Sequence, residues 1–292
     1  MASLGLGWED VHRRWPSLIM ASISGYGNEG PNYERAAMDI IVQAGSGIMA
    51  VVGNDEDPAM LEGMCDMNAG LHAVIGIQGA LFSRTTDGLG RYVDISMADC
   101  AVSLLQTQLP MASNGDHDER VMDGSGGRVG TITRTLAPFD TFMCSDAKIA
   151  LVGYQQHHWL QICELIGRPD LVERFPELRD RTYQWGDNAS MKAELEKTLS
   201  TQPRDHWLGL FLDAGLAAGP VRGLGDVLED EQLQHRNMLT KITIPPTGSA
   251  GPKGAELVVP GNPVKISGFS DGPVRRPMPQ IDEHGAAIRA RL

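Results

Sequence analysis

Long hydrophobic runs are missing from this chain of 292 residues. A helix that crosses a membrane needs roughly 20 consecutive apolar residues, and no stretch of this sequence reaches even about 18. The N-terminus also lacks the charged segment and apolar run that together mark a secretory signal peptide. These two absences predict that a membrane is not a partner of the protein.

Basic residues are also in the minority. Lys and Arg number 25 against 37 Asp and Glu, which gives a formal net charge of -12. A surface with this excess of negative charge repels phosphate backbones and anionic lipids. The composition therefore argues against nucleic acid as a partner, although a local basic pocket for an anionic ligand remains compatible with it.

Cysteine is scarce and unpaired along the sequence. Cys65, Cys100, Cys144 and Cys163 form no C-x-x-C motif and stand at no spacing typical of metal ligands. The plain interpretation is a reduced, cytoplasmic protein without a metal site.

Strand and helix patterns alternate in the first third of the chain. Residues 18–24 and 91–95 are short apolar runs that predict strands, each bounded by glycine-containing turns. Helical patterns begin near Met38 and Asp66, and Ser96 followed by Asp99 fits a capping box that opens another helix. Strand, helix, strand, helix in this order predicts an α/β fold with a parallel sheet.

Asp66 is the most informative single residue, because it stands where an extended segment gives way to a helix of small residues. Glycine inside a helix costs roughly 1 kcal/mol against alanine, so Gly70, Gly76 and Gly79 predict tight packing of this helix. Two roles fit Asp66. It could be an N-cap that accepts a backbone hydrogen bond, or a nucleophile for covalent acyl transfer. The local pattern leaves both roles open.

The helix that follows Asp66 also carries an apolar face. Its members recur at i, i+3 and i+4 spacing: Leu71, Val74, Ile75, Gln78, Leu81 and Phe82. The opposite small-residue face would allow a second backbone to approach closely.

Several motifs in a fixed order resemble those of the family III CoA-transferases. They comprise Ser22-Ile23-Ser24-Gly25-Tyr26-Gly27, Asp39-Ile40 with Gln43-Ala44-Gly45-Ser46-Gly47, Asp66 with Gly70, Val93-Asp94-Ile95-Ser96-Met97, Gly167-Arg168-Pro169 and Gly219-Pro220-Val221. Each motif is modest alone, but together they cover nearly the whole chain.

The resemblance implies a function. In that family the aspartate at the position of Asp66 attacks an acyl-CoA thioester, and the enzyme then carries an aspartyl-CoA thioester that reacts with a carboxylic acid. The expected substrates are therefore an acyl-CoA and a carboxylic acid, with coenzyme A arriving as a thioester rather than as a permanently bound cofactor. The residues that contact coenzyme A are not identifiable from the sequence.

Racemases that act on 2-methylacyl-CoA thioesters share the fold and are the main alternative. They place a histidine immediately before the position of Asp39, and this chain has Met38 there. A thioether cannot exchange a proton, whereas racemisation needs two opposed acid/base groups. The resemblance to the transferases is therefore favoured.

The resemblance also implies an architecture. We expect an incomplete, Rossmann-like large domain at residues 1–108, a linker at 109–127, a smaller α/β domain at 128–239, and a segment at 240–292 that returns to the large domain. Family members form interlocked homodimers, so a homodimer is expected. Because the family's first segment has no counterpart here, a second chain that supplies it, or a non-catalytic fragment, is the other expectation.

Overall fold

The computed structural model describes residues 1–115, 118–244, 246, 254–269 and 279–291. Its fold is mixed α/β, as predicted from the alternating patterns. Within these ranges the strands lie in three small sheets. The strands are β1 Met20–Ser24, β2 Tyr92–Ser96, β3 Phe139–Met143, β4 Lys148–Val152, β5 Ala217–Pro220, β6 Leu239–Ile244 and β7 Ala255–Pro260.

Helices occupy much of the chain between these strands. A short 3-10 helix at Ala2–Leu4 precedes α1. The α-helices in chain order are α1 Trp8–Arg14, α2 Asp39–Gly45, α3 Ile48–Val51, α4 Met64–Asp87, α5 Met97–Val102, α6 Gln108–Ser113, α7 Glu119–Met122, α8 Gln156–Leu165, α9 Asp170–Arg174, α10 Leu178–Arg181, α11 Asn188–Leu199, α12 Arg204–Asp213, α13 Leu224–Leu228, α14 Glu231–His235 and α15 Gly285–Arg289. None of the helices in the described ranges is long and apolar enough to cross a membrane.

Strands β1 and β2 pair in parallel, which confirms the predicted parallel arrangement. Met20 is opposite Tyr92 and Ser24 is opposite Ser96. Gly90 precedes β2 where the backbone of Leu18 passes so closely that a Cβ at Gly90 would lie 1.7 Å from the Leu18 carbonyl oxygen. Only glycine fits there, so Gly90 allows the two strands to enter the sheet side by side.

The helix that starts near Asp66 packs on this sheet through small residues. Ala73 and Ala80 are buried, and a Cβ at Gly76 would lie 2.5 Å from Val93 Cγ1. The prediction of tight packing is confirmed at Gly76. It is wrong at Gly70 and Gly79, where a Cβ would meet nothing within 4 Å.

The apolar face predicted on α4 is exposed in this chain. Leu71 is 64% exposed and Phe82 is 79% exposed, and Val74, Ile75 and Leu81 are exposed as well. The buried core of this part of the protein lies on the other side of the helix. It consists of Val42, Ile48, Cys65, Ala69, Ala73, Ile95, Met97, Cys100, Ala101 and Leu105.

A second core forms around the antiparallel sheet β3–β4–β5. The fully buried Trp159 of α8 lies at its centre and stacks against the equally buried Arg181, whose guanidinium is 4.9 Å from the ring. Arg181 donates hydrogen bonds to the carbonyl oxygens of Ala137 and Phe175. Burial lowers the pKa of Arg181 to about 10.

The segment predicted as a linker has more structure than its composition suggested. Helices α6 and α7 lie within or beside residues 109–127, and residues 116–117 of that segment lie outside the described residues. The Gly127 amide donates to Asp55 Oδ1 at 2.9 Å, so this glycine is fixed against the preceding part of the chain. The domain boundaries proposed from the sequence stay predictions, as does the return of residues 240–292, which contain the antiparallel pair β6–β7.

Candidate functional site

Asp66 lies in the first turn of α4, but it does not cap that helix. The N-cap position is Gly63, whose φ of 73° is in the left-handed region that glycine tolerates best. Met64, Cys65 and Asp66 are the first three helical residues. The interpretation of Asp66 as an N-cap is therefore wrong, because Asp66 lies inside the helix rather than before it.

The start of α4 is instead capped by Asp39, the first residue of α2. Asp39 Oδ1 accepts hydrogen bonds from the backbone amides of Cys65 at 2.8 Å and Asp66 at 3.3 Å. The first amides of a helix have no partner within the helix, and a carboxylate is well suited to accept from them. Asp39 thus joins α2 to α4 across 27 residues of sequence.

Gln43 holds Asp39 in this position. It lies one turn after Asp39 in α2, and its Nε2 donates to Asp39 Oδ2 at 2.5 Å and to the Leu61 carbonyl at 2.8 Å. The Gln43 side chain is fully buried. Both oxygens of the Asp39 carboxylate therefore accept hydrogen bonds, and the segment that leads into α4 is fixed by the same amide group.

The Asp66 carboxylate is free for other contacts. Its side chain is exposed, and within the described residues it makes no hydrogen bond and no ion pair. The amino end of a 24-residue helix carries a partial positive charge that favours an anionic side chain in the first turn. This geometry leaves an accessible carboxylate on a backbone segment that another residue fixes.

Cys65, the neighbour of Asp66, is buried and free. Burial, and then the negative charges of Asp39 and Asp66, raise the pKa of the Cys65 thiol to about 11. A thiol with this pKa is protonated at neutral pH and is a poor nucleophile. Cys65 is therefore a small buried residue of the core rather than a second nucleophile.

Met38, where the racemases have a histidine, is the N-cap residue of α2 and is 72% exposed. Met38 directly precedes Asp39, and its thioether is not an acid/base group.

His157 and His158 lie together at the start of α8, with ring centroids 4.1 Å apart. Among the described residues, no group of three or more His, Cys, Asp or Glu side chains could hold a metal ion.

Asp39 and Gln43 belong to a motif of the resemblance, but the sequence did not indicate a role for either residue at the site. Their spacing of four residues places them on one helical face, which was visible in the sequence. Nothing local to residues 39–43 indicates that this face meets the start of a helix 27 residues later, because that contact depends on the tertiary fold.

Comparison with known proteins identifies the class to which this fold and site belong. The family model described as CoA-transferase family III matches residues 1–285. The chain belongs to this family of enzymes, which confirms the resemblance found in the sequence.

Individual relatives agree with this assignment. The chain is 36% identical over 294 residues to an acetyl-CoA:oxalate CoA-transferase of Acetobacter aceti, and the match covers 99% of the chain and 70% of that protein. It is 28% identical over 295 residues to a succinyl-CoA:mesaconate CoA-transferase of Haloarcula hispanica, again over 99% of the chain and 70% of the relative.

A solved structure shares the fold as well. The orthorhombic crystal form of Rv3272 from Mycobacterium tuberculosis matches with a TM-score of 0.79 and 28% identity. The match covers 98% of this chain and 73% of that one.

Proposed function

We propose that this protein transfers coenzyme A from an acyl-CoA to a carboxylic acid, with Asp66 as the nucleophile. The observation that supports this role most strongly is the free and exposed Asp66 carboxylate in the first turn of α4. Asp39 fixes the Asp66 backbone through a hydrogen bond. The Asp66 side chain is therefore not needed to hold the start of α4 in place. A carboxylate oxygen is a nucleophile that needs no general base to attack a thioester.

The proposed reaction proceeds by exchange at Asp66. A carboxylate oxygen attacks the thioester carbonyl carbon, the carbon–sulfur bond breaks, and a mixed anhydride forms with release of the CoA thiolate. The thiolate then attacks the Asp66 carbonyl carbon and releases the donor acid, which leaves an aspartyl-CoA thioester. The acceptor carboxylate attacks the carbonyl carbon of this thioester, which releases the CoA thiolate and forms a second anhydride. The thiolate then attacks the acceptor's carbonyl carbon in that anhydride, which gives the new acyl-CoA and regenerates the Asp66 carboxylate.

The acids named for the relatives suggest a substrate class. Oxalate and mesaconate are both dicarboxylic acids, and they belong to the named reactions of two relatives. A small dicarboxylic acid is therefore the acceptor class that we propose for this chain.

The four free, buried cysteines suit a cytoplasmic setting for this reaction.

Trapping the enzyme-bound intermediate tests the proposal. Hydroxylamine added during turnover of acetyl-CoA with oxalate should convert Asp66 to a hydroxamate, detected by mass spectrometry of its peptide. Asp66→Asn should lose both the transfer and the adduct. Asp213→Asn is a matched control, because Asp213 is an exposed aspartate at the end of α12. Transfer at full rate by Asp66→Asn would refute the assignment.

The racemase alternative makes a different prediction. Racemisation of a 2-methylacyl-CoA needs a second acid/base group opposite the first. Met38 cannot provide it, so the opposite enantiomer should not form in deuterated solvent. Formation of that enantiomer with deuterium at the α-carbon, at a rate comparable with CoA transfer, would favour the racemase.

We further propose that the exposed apolar face of α4 is covered by a second polypeptide, with a second copy of this chain as the first candidate. Contiguous exposed apolar residues of this kind are typical of interaction sites. Phe82→Glu should shift the sedimentation coefficient of a dimer towards that of the monomer. Leu224→Glu changes an equally exposed leucine on α13 and should not. A wild-type chain that sediments as a monomer would leave a different chain as the occupant.

A further inference from the structure

A cavity separate from the Asp66 carboxylate lies between α6 and the segment from Gly127 to Thr135. Its volume is about 220 Å³. One water needs roughly 10–15 Å³ of such space, and pockets for drug-sized ligands begin at about 300 Å³. The cavity therefore suits a molecule of a few non-hydrogen atoms. Its lining residues include Thr107, Gln108, Arg128, Thr133, Arg134 and Thr135.

Arg128 brings a nearly buried positive charge to this cavity, since the residue is only 5% exposed. Its Nε donates to the Asn54 carbonyl at 3.0 Å, and its Nη1 donates to the carbonyls of Met49 and Gly124 at 3.4 Å each. These partners are neutral. Within the described residues, Nη2 makes no hydrogen bond, and no carboxylate lies within ion-pair distance of this guanidinium. Asp55 attracts it electrostatically, but Asp55 is itself ion-paired with Arg120.

Arg134 is the second guanidinium on the same cavity. Its Nη2 donates to the Gly127 carbonyl at 2.6 Å, and the group stacks over the Tyr183 ring at 5.1 Å. It too has no carboxylate partner among the residues that the structure describes. Both contacts fix the orientation of the guanidinium plane without neutralising its charge.

Two arginines on one cavity, neither of them ion-paired with a carboxylate of the described ranges, are unexpected in a chain with 12 more acidic than basic residues. Other arginines do find carboxylates, as Arg120 does with Asp55 and Arg168 with Glu194. Taking a charge out of water without an opposite charge is unfavourable, so a buried guanidinium favours the uptake of an anion. Thr107, Thr133 and Thr135 also line the cavity, and a threonine hydroxyl can donate a hydrogen bond to an anion.

We propose that this cavity binds a small oxyanion, a carboxylate or a phosphate group, through Arg134 and Arg128. The planar fork of a guanidinium matches two oxygens of either group. Arg134 is the principal contact because it is less enclosed than Arg128. The observations that support this anion site concern the cavity alone. The proposal for the site therefore does not depend on the reaction proposed for Asp66.

Calorimetric titration of the full chain tests the site. Succinate and inorganic phosphate serve as probes, with chloride at the same ionic strength as the reference. Arg134→Gln should weaken binding by about tenfold or more, as expected for loss of hydrogen bonds to a charged group. Arg13→Gln is the matched control, because Arg13 is an exposed arginine on α1 that pairs with Asp10. Asp66→Asn should bind the probes as the wild type does, which separates this site from the proposed reaction.

Comparing the affinities of the two probes also identifies the class of ligand. Tighter binding of succinate would identify a carboxylate site, and tighter binding of phosphate would identify a phosphate site. Arg134→Lys keeps the charge but loses the fork, so it should bind with intermediate affinity, and it serves as the test if Arg134→Gln does not fold. The proposal would be overturned if neither probe bound more tightly than chloride. It would also be overturned if both variants bound the probes as the wild type does.

Discussion

A hydrogen bond joins the side chain of Asp39 to the backbone of Asp66, with 3.3 Å between Asp39 Oδ1 and the Asp66 nitrogen. The same oxygen accepts from Cys65 at 2.8 Å. Asp39 therefore fixes the start of α4, whereas the Asp66 side chain makes no hydrogen bond or ion pair within the described residues. This division distinguishes the two carboxylates and predicts different consequences when each is changed.

Replacing Asp39 should affect both stability and turnover. Asp39→Ala removes the acceptor for two amides at the start of α4, and loss of such a cap costs about 1 kcal/mol of unfolding free energy. Because Asp66 sits on that turn, transfer should fall as well. Urea unfolding and CoA-transfer assays measure the two effects, and Asp213→Ala should change neither by a comparable amount. Full activity in Asp39→Ala would show that the cap does not position Asp66.

Gln43→Leu tests the hydrogen bond by which Gln43 holds the Asp39 carboxylate in place. The change keeps most of the buried volume but removes the donor to Asp39 Oδ2 and the Leu61 carbonyl. Loss of a typical intramolecular hydrogen bond costs about 0.5–1.5 kcal/mol. Asp39 is half-buried and Leu61 is exposed, so the free energy of unfolding should fall by about that amount in urea titration. A variant as stable as the wild type would mean that Asp39 and Leu61 find other donors.

Gly76→Ala and Gly79→Ala should act in opposite directions. Alanine at Gly79 meets nothing within 4 Å, so the gain in helix propensity of about 1 kcal/mol should be retained. Alanine at Gly76 would push into Val93 of β2, and overpacking of this kind costs about 1–3 kcal/mol. Thermal or urea unfolding of the two variants compares them directly. Equal stabilisation would contradict the close packing of α4 on β2.

The buried thiols should weaken the fold in mild alkali. Burial first, and nearby carboxylates next, raise the pKa of both Cys65 and Cys144 to about 11 from an ordinary value of 9.0. Below about pH 9 the folded and unfolded chains both hold these protons. Above it only the unfolded chain releases them, so the unfolding free energy should fall by up to about 1.4 kcal/mol per pH unit for each thiol.

Urea titrations from about pH 8 to about pH 10 measure this slope. The range stops near pH 10 because the lowered pKa of Arg181 acts in the opposite sense above it. Cys65→Ala should reduce the slope relative to the wild type. An unchanged slope would show that Cys65 does not stay protonated in the fold.

Local signals in the sequence predicted much of the fold. The turn glycines and apolar runs predicted β1 and β2, and Ser96 accepts from the Asp99 amide at 3.2 Å as its capping position predicted. The family motifs predicted the enzyme class. Asp66 was recognised as a candidate, but its role as a cap was wrong because the left-handed turn at Gly63 moves the helix start three residues earlier.

Contacts between distant segments explain what the sequence did not predict. Asp39 and Gln43 act on residues 18 to 27 positions away, and no periodicity reports such a distance. Gly70 and Gly76 look alike in sequence, but only Gly76 faces Val93. Arg128 and Arg134 are close in sequence, but the cavity that they line is completed by residues of α6, which only the fold brings there.

The cap formed by Asp39 has a consequence for the proposed catalytic cycle. Because the amides at the start of α4 are bound by a residue that does not react, thioester formation at Asp66 removes no hydrogen bond from the helix. The covalent adduct and the free enzyme should therefore melt at nearly the same temperature, once the coenzyme's own contacts are taken into account. Chemistry at this position can then be repeated without any partial unfolding of the helix that carries it.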